Sequence, residues 1–106
     1  MADLRVRAQR DGSRVVLTVE GELDLATVGG LQDAVAEVLS AGGPAELVLD
    51  LAGVTFLDSS GLGALLRVRA DVQAAGGRLS VSAVARGPAR VIAIAGLSAT
   101  LGLPEA

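Results

Sequence analysis

Glycine and proline cut this chain into short pieces, and the apolar spacing changes character from one piece to the next. The breaks fall at Asp11-Gly12, Gly42-Gly43-Pro44, Gly76-Gly77 and Gly96. Between them apolar residues recur either at every second position, as on one side of a strand, or at spacings of three and four, as on one side of a helix. Leu4–Ala8 sets Leu4, Val6 and Ala8 against Arg5 and Arg7, while Arg14–Glu20 alternates Val15, Leu17 and Val19 with Val16, Thr18 and Glu20. With Asp11-Gly12 between them, these runs read as an antiparallel hairpin. The period then changes: Val28, Leu31, Val35, Val38 and Leu39 line one side of a helix that Asp24 or Thr27 can cap. Glu46–Leu51 reads as a strand apolar enough to be central, and Ala52–Asp58 as a short connection. From Ser59, a second helical stripe carries Leu62, Leu65, Leu66 and Val72, with Arg67 and Asp71 off it. Arg78–Val84 alternates again, and a third helix starts at Gly87-Pro88 with Val91, Ile94 and Ala95 expected inward. Thr100–Leu103 is a candidate final strand.

The order ββαβαβα, with that final strand as an option, defines an α/β fold: a mixed central β-sheet covered by amphipathic helices. No repeat or low-complexity linker interrupts it, so residues 1–106 are expected to form a single domain. Phe56 is the only aromatic residue, so the core must be built from Leu, Val, Ile and Ala. Large anchors for a ligand pocket or for stacking on bases are scarce.

Composition narrows the chemistry further. The chain has neither cysteine nor histidine, which removes thiolate nucleophiles, disulfides, the commonest general base and the commonest metal ligand. Net charge is −3, with acidic residues at Glu20, Glu22, Asp24, Asp50 and Asp58. That balance disfavours nucleic acid and anionic membrane surfaces and suits a basic protein partner, as it also suits ordinary solubility. No apolar run approaches the roughly 20 residues that span a bilayer. Residues 1–10 lack the apolar block of a signal peptide, so a cytoplasmic location is expected. All nine basic residues are arginine, a bias that fits a GC-rich bacterial genome.

One turn concentrates what chemistry is left. Asp58-Ser59-Ser60-Gly61 feeds the second helix, and sites in open α/β sheets collect beyond the carboxyl ends of strands. Asp58 or Ser59 can accept from the unpaired N–H groups of the first helical turn. Gly61 permits close backbone approach, and the positive end of the helix favours an added anion such as a phosphate on Ser59. The same four residues also make an ordinary N-cap, and spacing does not separate a capping serine from a phosphoacceptor.

The stretch VTFLDSSGLGALLRVRADVQAAGG, Val54 to Gly77, resembles the signature segment of the STAS family, in particular its anti-sigma factor antagonists. GELDLAT, Gly21 to Thr27, is similar to the family's acidic turn after the second strand, and Arg86–Gly96 to its last amphipathic helix. The resemblance covers nearly the whole chain and implies a partner switch. The unmodified protein binds an anti-sigma factor, a serine/threonine kinase, and so releases a sigma factor under stress. The kinase phosphorylates the first serine of the motif, here Ser59, with Ser60 as the alternative acceptor, and a metal-dependent serine phosphatase resets it. Asp24, Asp58, Ser59, Ser60, Gly61 and Leu62 would form the binding surface of a monomer or weak dimer, although the helical stripe also assigns Leu62 to the core. No catalytic residue, cofactor or metal is implied. Because many relatives continue into a further C-terminal helix, Leu101 and Leu103 are expected to be more exposed here.

Two rival readings follow. STAS domains also serve as subunits of phospholipid-transport ATPases and stress-signalling assemblies, with no sigma-factor partner. An Mg²⁺-dependent enzyme built on Asp24, Asp50 and Asp58 is the other. Against it, the chain has no P-loop, no lysine and no base other than carboxylates.

Overall fold

The computed structural model describes residues 3–104; Met1, Ala2, Glu105 and Ala106, which belong to the expected 1–106 domain, lie outside the described residues. The elements are β1 (Leu4–Asp11), β2 (Arg14–Leu23), α1 (Val28–Ser40), β3 (Glu46–Leu57), α2 (Ser59–Ala74), β4 (Arg78–Val84) and α3 (Arg86–Ile94). The sheet runs β1-β2-β3-β4, with β1 antiparallel to β2 and the remaining pairs parallel. Helices α1 and α2 are the crossovers that parallel pairing requires, and right-handed crossovers place both on one side of the sheet. The mixed α/β architecture expected from the pattern is therefore the one observed.

That side holds the core. Val15, Leu17 and Val19 of β2 join Leu47, Leu49 and Leu51 of β3, and Leu31 and Val35 of α1 close over them with Leu65, Val68 and Val72 of α2. Strand β1 contributes only the half-buried Leu4 and Val6, as suits an edge strand.

Strand β3 is longer than the pattern suggested. The segment Ala52–Leu57, expected as a connection, continues the strand and pairs with the end of β2 through Glu20↔Gly53, Gly21↔Val54, Glu22↔Phe56 and Leu23↔Leu57. Two register shifts explain the misreading: each bulge adds a residue to β3, so the inward positions step from Leu51 to Val54 to Leu57 instead of alternating. The Asp50 carboxylate accepts from the Ala52 amide at 3.1 Å, satisfying a donor that the first bulge removes from the ladder.

The C-terminal region departs further. Ile92 and Pro88 are the buried residues of α3, whereas Ile94 is 80% exposed and Ala95 is exposed. Of the expected inward residues, Val91 is half-buried against the core, but Ile94 lies two residues, about 200° of helix rotation, beyond Ile92 and faces outward. Thr100–Leu103 is not a strand but a pair of turns, closed by Leu101 N–H to the Leu97 carbonyl and Leu103 N–H to the Ser98 carbonyl. A single bond from Val81 N–H to the Gly102 carbonyl ties them to the outer edge of β4. Leu101, expected to be more exposed, is instead tucked into the core, and Leu103 is half-buried. Burying Leu101 removes its apolar surface from water.

Candidate functional site

Two chain segments meet where β2 and β3 end side by side. The Leu23↔Leu57 pair closes the sheet there, and both side chains are buried. Beyond it one strand enters the Asp24–Thr27 turn and the other enters α2 through Asp58. Asp58 N–H donates to the Leu23 carbonyl at 3.5 Å, a long link between the two exits.

Asp58 is the N-cap of α2. Its backbone is extended and its carboxylate accepts from Gly61 N–H at 2.9 Å, while its carbonyl accepts from Leu62 N–H at 2.9 Å. A cap of this kind stabilises a helix by about 1 kcal/mol. Because Asp58 fills the capping role, Ser59 does not. The Ser59 side chain is exposed, Ser60 is half-buried, and neither hydroxyl has a hydrogen-bond partner among the described residues. Ser59 and Ser60 are also the first helical residues, whose N–H groups have no intrahelical acceptor. Ser59 therefore sits at the positive end of α2, in a turn whose first amides have no intrahelical acceptor.

Gly61 is buried against the other segment. A Cβ there would collide with the Leu23 carbonyl oxygen and with the Leu57 side chain, so only glycine lets α2 start this close to the end of β2. Gly21 serves the same end of the sheet: its φ of 116° and the nearby Asp3 carbonyl leave no room for a side chain.

The Asp24–Thr27 turn is built differently from the helix cap expected of it. Thr27 occupies the N-cap position of α1 without a side-chain bond to the helix. Its hydroxyl instead donates to the Glu22 carbonyl at 2.7 Å and accepts from Asp24 N–H at 3.0 Å. Asp24 does not cap either: its carboxylate accepts from Ala26 N–H at 3.0 Å, while its carbonyl accepts from the Thr27 and Val28 amides. Thr27 thus pins the turn and holds Asp24, half-buried, at the end of the sheet.

Of the expected surface residues, Asp24, Asp58, Ser59, Ser60 and Gly61 are gathered at this end. Leu62 is half-buried and packed against the core, which limits what it can offer a partner. Arg67 is paired with Asp71 at 3.4 Å on the exposed flank of α2. Among the described residues no group of three or more acidic side chains is placed to hold a metal ion, and no helix is long and apolar enough to cross a membrane. Two residues were passed over in the sequence: Leu25, 77% exposed in the turn, and Phe56, 48% exposed on β3.

A four-stranded mixed sheet with this element order and a serine-bearing helix start defines a STAS-type domain. The family model described as "Mlab, STAS domain" matches residues 6–104. An anti-sigma-F factor antagonist of Mycobacterium tuberculosis, RsfB, is 40% identical over 90 residues, 83% of this chain and 70% of that protein. Among solved structures, an anti-sigma factor antagonist from Mycobacterium paratuberculosis superposes with a TM-score of 0.81 at 29% identity, over 93% of this chain and 83% of that one. The anti-sigma factor antagonist SpoIIAA in its unphosphorylated form shares the fold, with a TM-score of 0.78 at 20% identity over 96% of this chain and 89% of that one. The chain belongs to the STAS domain family, among its anti-sigma factor antagonists.

Proposed function

We propose that this protein is an anti-sigma factor antagonist that binds an anti-sigma factor kinase through the end of the sheet bearing Asp24, Asp58, Ser59, Ser60, Gly61 and Leu62, and that phosphorylation of Ser59 ends the contact. The observation that carries the reading is the Ser59 hydroxyl: exposed, unengaged, and at a helix start already capped by Asp58. Similarity to the mycobacterial antagonists supports the class of partner. The chain acts by binding, not by catalysis, in the cytoplasm and as one domain, a monomer or weak dimer; a serine phosphatase restores the unmodified form.

In the transfer step the Ser59 oxygen attacks the γ-phosphorus of ATP, its bond to the β-phosphate bridging oxygen breaks, ADP leaves, and the serine proton passes to a base on the kinase. The phosphate adds about −1.5 to −2 charges. The helix terminus returns about 0.3–2 kcal/mol, so the domain need not unfold to carry it. Reversing a bound population from 99:1 to 1:99 takes about 5.5 kcal/mol. One like-charge contact at about 4 Å supplies ~1 kcal/mol in water and ~4 at an effective dielectric of 20. Release therefore combines repulsion with steric exclusion and desolvation at a tight contact, and displaces the partner locally. Ser59 is preferred over Ser60 because it is the more exposed residue and the first serine of the motif.

The test mixes the protein with ATP and each purified anti-sigma factor kinase of its genome and maps the phosphosite by mass spectrometry. Modification at Ser59, lost in Ser59→Ala, is expected; kinases that bind yet modify neither Ser59 nor Ser60 would sink the switch. Copurification with a membrane transporter ATPase and no kinase would favour the transporter-subunit alternative.

A further inference from the structure

Among the described residues three large apolar side chains are exposed, and two of them sit at the end of the sheet described above. Leu25 is 77% exposed at the tip of the Asp24–Thr27 turn, and Phe56, the only aromatic residue, is 48% exposed on β3. Phe56 pairs with Glu22 in the sheet register. The turn carrying Leu25 is folded back onto Glu22 by the Thr27 hydroxyl bond to the Glu22 carbonyl. Leu23 and Leu57, their neighbours in sequence, point into the core, so Phe56 and Glu22 project to the other side of the sheet. Glu22 is thus the register partner of Phe56 and lies three residues before Leu25 in the chain.

The electrostatic setting is one-sided. Glu22, Asp24 and Asp58 stand within a few residues of this pair, and none of them forms an ion pair among the described residues. The nearest paired carboxylate, Glu20, is already matched by Arg5. Exposed apolar groups with unmatched carboxylates beside them in chain and register have a defined complement: an apolar pocket bordered by arginine or lysine. An arginine there could also stack on the Phe56 ring.

We propose that Leu25 and Phe56 are the apolar anchors of the interface with the anti-sigma factor, seated in an apolar pocket of that protein with a basic rim facing Glu22, Asp24 and Asp58. This rests on the antagonist reading and adds to it the residues that supply affinity. Interfaces take most of their binding energy from a few buried apolar or aromatic side chains, while a charged frame sets approach and register. A phosphate on Ser59 falls within the acidic frame, next to Asp58 and across the Leu23 link from the Leu25 turn, where it makes the frame too negative for one basic rim to match.

Binding of the purified anti-sigma factor kinases of the source genome is measured by titration calorimetry with wild type, Leu25→Ala, Phe56→Ala and Ile94→Ala. Ile94 is the control, since it is 80% exposed but lies on α3 outside the acidic frame. Leu25→Ala and Phe56→Ala are each expected to weaken binding at least tenfold, and Ile94→Ala less than twofold. Glu22→Gln is expected to slow association and flatten its salt dependence. If wild type binds a kinase and both Leu25→Ala and Phe56→Ala bind within twofold of it, the anchors are overturned and the antagonist reading stands. If wild type binds none of the kinases, the antagonist reading itself fails.

Discussion

The two helices that leave this end of the sheet begin with the same ingredients and use them in opposite ways. At the start of α1 an aspartate precedes a threonine, and the threonine hydroxyl is fully occupied by the Glu22 carbonyl and the Asp24 amide. At the start of α2 an aspartate precedes a serine, and the aspartate carboxylate takes the structural bond, to Gly61 N–H. The α1 hydroxyl is therefore part of the scaffold, and the α2 hydroxyl is left over. A side chain with no structural duty can be modified or lost without harm to the fold, which is what a reversible switch requires.

The sharpest way to break this contrast is at the third helical residue, a glycine in both helices. At Gly61 an added Cβ meets the Leu23 carbonyl and Leu57, whereas at Gly30 it meets nothing within 4 Å. Gly61→Ala is expected to destabilise by about 1–3 kcal/mol, as overpacking against backbone does, and to weaken partner binding by pushing the two segments apart. Gly30→Ala is expected to raise stability by up to about 1 kcal/mol, because alanine has less backbone freedom to lose. Urea unfolding of both variants checks the pair. Equal effects would mean that the close approach at Gly61 does not hold the site together.

Next in size are the two residues that carry the structural bonds. Asp58→Ala removes the α2 cap and is expected to cost about 0.5–2 kcal/mol, with Asp58→Asn recovering most of it. Thr27→Val keeps the shape but deletes the hydroxyl bonds at the α1 start, with an expected loss of about 1 kcal/mol per unsatisfied partner, and Thr27→Ser restores them. Thermal unfolding measures both, and titration with the kinase tells whether Thr27 also positions Asp24. A Thr27→Val protein as stable as wild type would move Thr27 out of the scaffold.

Much of this was legible in the residues. The hairpin, β4 and the inward residues of α1 follow from apolar period, and the acidic turn and the serine-bearing helix start were both visible as motifs. What escaped was wherever period fails. The two bulges in β3 broke the alternation that marks a strand, so Ala52–Leu57 looked like loop. In α3, two helical phases fitted the same apolar residues, and only packing chose Pro88 and Ile92. Leu101 is buried by turns, which have no apolar period at all. At the site, the sequence offered Asp24 or Thr27 as a cap, and neither fills that role because both are bonded within their own turn. Exposure of Phe56 depends on which face of β3 it occupies, which the bulges hid, and Leu25 is exposed by a turn, which has no apolar period to read.

The smallest expected effect is the most telling one. Ser59→Ala should leave stability within about 0.5 kcal/mol of wild type, since an exposed residue outside any bond network seldom contributes more. Alanine at the first helical position is a good helix former, and Asp58 still caps. The same deletion at the other helix, Thr27→Ala, removes an acceptor for the Asp24 amide and a donor to the Glu22 carbonyl, so it should cost about 2 kcal/mol. The ratio of the two losses, read from parallel urea titrations, measures how unequally the two hydroxyls are used. A Ser59→Ala loss as large as that of Thr27→Ala would mean that Ser59 carries structure after all. Phosphorylation would then disturb the fold itself, and release of the partner could proceed by loosening α2 rather than by displacement at an intact surface.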